Sequence, residues 1–186
     1  MALGFQDNPG NILGTNTASN LYSSSSVTSD ADGSIIERQE YLQGISGGTV
    51  TKALTTIANG NTTLFSYTGT IKILDIIGRV TTKIENITQN MKLAVVSDSL
   101  SAVDICANVD MDDDAVGTMC SITGTAANAM VATTNGALAP GQANSVIATC
   151  TTSGIIRQVA GAANTGAITW SIRWEPVSTG ATLTAA

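Results

Sequence analysis

Apolar and polar residues alternate over much of the chain between positions 49 and 186, and this two-residue period predicts β-strands. The clearest alternation, in the last predicted strand, places Ile168, Trp170, Ile172 and Trp174 on one face and Thr169, Ser171, Arg173 and Glu175 on the other. Pro176 ends this strand, because proline has no N–H to donate to a sheet. Both tryptophans of the chain share the apolar face, so we expect that face to form the centre of the core.

Other segments repeat the alternation between clusters of Gly, Asn, Asp and Ser. Phe65 and Tyr67 share a face of the first predicted strand, and Thr68–Thr70 is a predicted turn. From Ile71 onward, the apolar residues occupy first odd-numbered and then even-numbered positions. This change of phase predicts a β-bulge near Asp75. Further strand candidates are 91–95, 103–109, 118–122, 129–133, 146–150 and 155–159. Many short strands of this kind predict a mainly β fold, an antiparallel β-sandwich or barrel-like domain over 49–186.

Residues 32–48 predict one short helix followed by a Gly-rich linker. Ser34 and Glu37 have the capping-box spacing, and the helix should stop at Gly44 or by Gly47–Gly48. An isolated helix below about 12–15 residues is marginal in water, so this helix needs a partner. Identical helices around a symmetry axis would supply one, and the predicted contact residues are Ile35, Ile36, Gln39 and Leu42.

Residues 1–31 predict an extended N-terminal arm, because Asn, Ser, Thr and Gly dominate and offer little to bury. Such a segment is either disordered or ordered only against a neighbour. The start of the chain lacks a basic stretch and a long apolar run, so we expect synthesis in a host cytoplasm. No window approaches the ~18 apolar residues of a membrane span, so we expect no membrane partner.

Composition narrows the possible partners. The 186 residues include only 12% charged residues, against about 25% in typical domains, which suits a subunit packed in an assembly. The formal net charge is −6 and the eight basic residues are scattered. Nucleic acid is bound by clustered Lys and Arg, so we expect no nucleic-acid partner.

Candidate chemistry is sparse. The chain has no histidine, the commonest general base and zinc ligand, and it has no phosphate-binding glycine loop. Asp110, Asp112 and Asp114 match the first three positions of a calcium loop, but Ala115 stands where Gly is needed and Ser121 where Glu is needed. A solvated acidic loop is the expected interpretation, with weak cation binding as the alternative. We therefore expect no enzyme activity, no cofactor and no dedicated metal site.

The three cysteines, Cys106, Cys120 and Cys150, have no metal-like spacing and lie in strand-like runs. Buried reduced thiols are the expected state, and a Cys120–Cys150 disulfide is the alternative.

Three stretches resemble head decoration and minor structural proteins of tailed phages. They are Leu64–Gly69 with the following Ile71–Ile84, the ending Gly166–Pro176 with Ser178–Ala181, and Asp32–Arg38. The resemblance implies a β domain on the outside of a capsid, often a homotrimer, that bridges neighbouring copies of the major capsid protein and cements the shell. It implies no catalytic residues.

Two other functions fit the same pattern. A phage tail, fibre or neck subunit would be expected to show a longer repeat or more aromatic residues than the 4% present. A surface adhesion module of β-sandwich type would require an export signal.

Overall fold

A computed structural model describes residues 47–98, 101–133 and 141–186, and within these ranges the chain forms two antiparallel β-sheets and no helix. The strands of the first sheet are β1 (Gly48–Ala53), β3 (Thr70–Thr82), β6 (Met119–Ser121), β7 (Val131–Thr133), β8 (Val146–Thr149) and β10 (Ala167–Pro176). Those of the second are β2 (Gly60–Thr68), β4 (Lys92–Ser97), β5 (Val103–Asp104), β9 (Gly154–Ala160) and β11 (Thr182–Ala185). The predicted mainly β, antiparallel fold is confirmed.

The two longest strands, β3 and β10, form the centre of the first sheet. Strand β10 lies between β1 and β3, and the other side of β3 pairs with β8 at one end and with β6 at the other. Asp75 pairs with Arg173 and Ile73 pairs with Trp174, so Leu74 has no partner on β10. This extra residue is the bulge predicted near Asp75, and it explains why the buried positions of β3 change phase there.

The second sheet has the order β11-β2-β9-β4-β5. Strand β2 passes into β3 through Gly69, which has a φ of +69° and therefore a backbone conformation that favours glycine. The predicted turn at 68–70 is confirmed, but it carries the chain from the second sheet into the first. The flanking strands are therefore not a hairpin.

The core contains the inner faces of both sheets. Trp170 is fully buried and Trp174 nearly so, which confirms that the apolar face of β10 lies at its centre. The Trp170 indole Nε1–H donates to Gln158 Oε1 of β9 at 2.8 Å. Since a buried indole N–H without a partner costs free energy, this bond fixes Gln158 and Trp170 against one another across the two sheets.

Two sequence predictions differ from the structure. Strand β10 is followed by β11, so it is not the last strand. The alternation over 103–109 yields a strand of only two residues, Val103–Asp104. Beyond it the chain makes single bridges to each sheet, Met91–Val109 on the second and Ala107–Ala129 leading into the first. A segment that joins two sheets cannot continue along the edge of one of them.

Strand β1 begins at Gly48, one residue before the expected start of the β domain. The predicted arm at 1–31 and the helix with its contact residues Ile35, Ile36, Gln39 and Leu42 lie outside the described residues.

Gly78 gives a test of the core. A Cβ added there would lie 2.7 Å from Cys120 Sγ and 2.8 Å from the Trp170 ring. We expect Gly78→Ala to lower the free energy of unfolding by about 1–3 kcal/mol, because overpacking forces buried groups to shift. Urea denaturation measures the change. Gly48→Ala is the matched control, since nothing lies within 4 Å of its Cβ, and it should change stability by less than about 0.5 kcal/mol. Equal effects of the two substitutions would contradict the tight packing at Gly78.

Candidate functional site

Three exposed apolar side chains lie on one side of the two sheets. Strands β5, β7 and β8 are edge strands there, and in the described residues each pairs with a single strand. One apolar side chain on each is exposed: Val103 on β5 (58% exposed), Val131 on β7 (36%) and Ile147 on β8 (64%). We call these three residues the apolar edge. Exposed apolar edge strands are templates for pairing with another chain, so this side is a candidate interaction surface.

A groove of about 370 Å³ lies within this side, between β5 of the second sheet and β8 of the first. Its apolar lining includes Val95, Val103, Val146 and Ile147. We call it the edge groove. Its one charged lining residue, Asp104, forms an ion pair with Lys92 at 2.6 Å, so the groove presents little unbalanced charge.

The loops beside the edge groove are held together by hydrogen bonds. The Asn144 backbone N–H donates to the Thr123 carbonyl at 3.3 Å, and the Asn144 amide donates to Thr125 Oγ1 at 3.4 Å. Gly124 lines the groove between these contacts with a φ of +81°. In the loop before β8, Gln142 Nε2 donates to the Ile73 carbonyl of β3 at 3.2 Å. These hydrogen bonds hold the loops that line the groove in fixed positions.

A carboxylate fixes the loop between β8 and β9. Asp98, which directly follows β4, accepts hydrogen bonds from the backbone N–H groups of Thr151 at 3.1 Å, of Thr152, and of Ser153 at 3.2 Å. These bonds, the one from Thr151 above all, hold the pKa of Asp98 well below its usual range. The carboxylate thus ties the second sheet to the loop that leaves β8.

The carboxylates of the acidic loop at 110–114 contact different partners. Asp110 accepts from the Gln89 backbone N–H at 2.9 Å, and Asp113 pairs with Lys83 at 2.6 Å. Desolvation and the neighbouring Asp112 raise the pKa of Asp114. No acidic or cysteine cluster in residues 47–98, 101–133 and 141–186 is arranged to hold a metal ion. Asp110, Asp112 and Asp113 are exposed, whereas Asp114 is partly buried.

The three cysteines are free thiols, so the alternative Cys120–Cys150 disulfide is not formed. Cys106 and Cys120 are fully buried, as expected, whereas Cys150 is only half-buried. Burial raises the pKa of Cys120 to about 12 and that of Cys106 to about 11. Both therefore remain protonated at neutral pH and act as small packing groups.

Sequence reasoning did not single out the apolar edge. The alternation placed Val103 on the same face as Ile105, but Ile105 is buried and Val103 is exposed. A usable signal exists at Val146–Ile147, because two successive apolar residues of a strand point to opposite faces. One of the two must face outward or meet a partner. The predicted contact residues of the helix are outside the described part of the chain and cannot be placed beside this surface.

Comparisons with protein-family models, curated proteins and solved structures find no match for this chain. Across the described ranges, no helix has the length and apolar character needed to cross a membrane.

The Asp98 carboxylate should make stability depend on pH. Its folded-state pKa is depressed, so it stabilises the fold above the unfolded-state pKa of about 3.9, and this contribution is lost as the pH falls through the folded value. We expect Asp98→Asn to lower the unfolding temperature at pH 7, with the difference from the wild type shrinking below about pH 4. Thermal denaturation from pH 7 to pH 2 measures it. Asp112→Asn, in the exposed acidic loop, is the control; a difference for Asp98→Asn that is independent of pH would count against the carboxylate as the cause.

Thiol labelling tests the cysteine assignment. In the native protein we expect Ellman's reagent at pH 8 to modify Cys150 alone, because the other two thiols are buried and protonated. All three should react after unfolding in guanidinium chloride. Cys150→Ser should abolish native labelling. Rapid native labelling of that variant would show that Cys106 or Cys120 is accessible.

Proposed function

We propose that the β domain is a β-sandwich and that the protein is a structural virion subunit, which decorates and cements the capsid of a tailed phage. It would bind the capsid exterior, bridge neighbouring copies of the major capsid protein, and contact further copies of itself, as a homotrimer. Its action would be mechanical rather than catalytic, with no cofactor and no contact with nucleic acid or membrane.

The sandwich rests on contacts between the two sheets. The Trp170–Gln158 hydrogen bond joins β10 to β9. Tyr67 of β2 is buried, and its hydroxyl donates to the Thr149 carbonyl of β8 at 3.3 Å. Desolvation raises the pKa of Tyr67 to about 12, so the phenol remains a donor at any physiological pH. Two facing sheets joined through their inner faces are the arrangement of a sandwich.

The observation that carries the structural role is the apolar edge. Val103, Val131 and Ile147 lie on three different edge strands of the same side, although polar residues at these positions would be compatible with the fold. Apolar edge strands favour association with other chains, and proteins that must stay separate protect their edges with charges or proline. A subunit of an assembly would bind its neighbours through such a surface.

The charge distribution supports the outside of a capsid rather than its lumen. The chain carries eight basic and fourteen acidic residues, and packaged DNA would repel the net negative charge of −6. Low charge overall suits a protein that packs against others over much of its surface.

Capsid binding tests the proposal. Purified protein mixed with expanded, undecorated capsids of a tailed phage that encodes it should co-sediment in a fixed ratio to the capsid subunit. It should also raise the temperature at which the capsids break, because a ligand that binds only the intact shell stabilises it. Co-sedimentation and fluorescence with a DNA-binding dye measure the two effects.

Two matched variants make this experiment specific. Val131→Asp places a charge on the apolar edge and should weaken binding, whereas Val177→Asp, exposed in the loop between β10 and β11, should bind like the wild type. Absence of wild-type binding to capsids would overturn the proposal. Binding to purified tails or to host cells instead would favour the tail-subunit or adhesion alternative.

A further inference from the structure

The outward face of the first sheet carries a positive charge without an opposite partner. Arg173 and Asp75 form an ion pair at 2.8 Å on this face, and Lys72 and Glu175 form one at 3.7 Å. Arg79 is exposed on the same face and forms no ion pair with any residue that the structure describes. A guanidinium is always charged and presents five N–H donors, so Arg79 is open to a carboxylate from another chain.

The side chains around Arg79 are of the types found in protein interfaces. In the register of the sheet, Arg79 lies between Thr169 of β10 and Met119 of β6. Ile77, two residues earlier on β3, points to the same side, and Ile77 and Met119 are both partly exposed. Arginine and methionine are enriched in interfaces between proteins, whereas lysine and the acidic residues are depleted. We call Arg79, Ile77 and Met119 the arginine face.

Two loops of the same chain carry the complementary charge. Loops 83–90 and 110–117 contain one basic and five acidic residues, which gives a formal net charge of −4. The loops are joined, because the Ile84 N–H donates to the Asp114 carbonyl at 3.0 Å and the Gln89 N–H donates to the Asp110 carboxylate at 2.9 Å. They therefore form one surface, which we call the acidic end.

Asp112 supplies a free carboxylate at the acidic end. Three other acidic side chains of these loops, Glu85, Asp110 and Asp113, bind groups of their own copy. Asp114 is partly buried. Asp112 is exposed, and no described residue forms a hydrogen bond or an ion pair with it. Its carboxylate is therefore available to a cation of another chain.

The arginine face and the acidic end match in charge and in apolar surface. Arg79 and Asp112 are opposite charges that do not pair with each other within one copy. Val116 of the acidic end is 58% exposed and supplies apolar area for Ile77 and Met119. Two acidic ends repel each other, so contact between an acidic end and an arginine face is the arrangement that charge favours between copies.

We propose that the Arg79 guanidinium of one copy binds the Asp112 carboxylate of a second copy, with the arginine face packed against the acidic end. This inference specifies the contact between copies that the proposed function includes, and it rests on that part of the function alone. The contact needs no capsid, so it is tested in solution, separately from capsid binding.

Charge exchange in the full chain tests the contact. Sedimentation equilibrium of the wild type gives the dissociation constant between copies. We expect Arg79→Glu and Asp112→Arg each to weaken association at least about tenfold, because each substitution brings like charges together. The two substitutions in one protein restore an opposite pair and should return the dissociation constant to within about threefold of the wild-type value. A purely structural role of either side chain would not produce this rescue.

A second arginine provides the matched control. Arg157 also lacks an ion pair in the described part of the chain, but it lies on the outward face of the second sheet, between Thr63 and Ala94 in the register. Arg79→Gln should weaken association and reduce its dependence on ionic strength, because salt screens the ion pair that this variant lacks. Arg157→Gln should leave both properties unchanged. Thermal denaturation checks that each variant is folded.

Each contrary outcome overturns the proposal. A wild-type monomer at every concentration would exclude the contact, and capsid binding would still be decided by its own experiment. Association that is unchanged in Arg79→Glu, or that is weakened without rescue in the double variant, would place the contact between copies on another surface. An equal effect of Arg157→Gln would assign the change to overall charge.

Discussion

The buried indole of Trp170 is the group on which the arrangement of the two sheets depends. A ring of this size fits only because Gly78, on the neighbouring strand, has no side chain, and because the small thiol of Cys120 packs beside it. Its N–H needs an acceptor in a dry core, and Gln158 of the opposite sheet supplies one at 2.8 Å. One side chain therefore fixes both the spacing of the sheets and their relative position, and the bulge at Leu74 keeps the remaining apolar residues of β3 directed toward it.

Several polar side chains in the described residues hold the loops of this protein. Asp98 binds three successive backbone N–H groups after β8, and Asn164 accepts from the backbone N–H groups of Glu85 at 3.0 Å and of Gly166 at 2.8 Å. These contacts fix the loops at the ends of the strands. The edges of the sheets are therefore the surface that we expect partners to bind. A body stiffened in this way loses little conformational entropy when another chain packs on it, which favours a structural role in an assembly.

The local alternation of apolar and polar residues was sufficient to predict most strands and the core. Alternation identified β10 with its two tryptophans, and the change of phase after Ile73 identified the bulge, because the pleat directs alternate side chains to opposite faces. The same reasoning failed at 103–109, where the pattern continued but the strand stopped after Asp104. There the chain bridges two sheets, and a two-residue period carries no information about which sheet a segment joins.

The sequence by itself determined the mainly β class and the inward face of the long strands, because both follow from local periodicity. It left the Cys120–Cys150 disulfide open, and the structure excludes it. Only the tertiary structure decided that β2 and β3 belong to different sheets, that Gln158 is the partner of Trp170, and that Val103, Val131 and Ile147 share one side. These features join residues far apart in the chain, and their positions depend on strand order and on packing between the sheets, which nearby sequence does not encode.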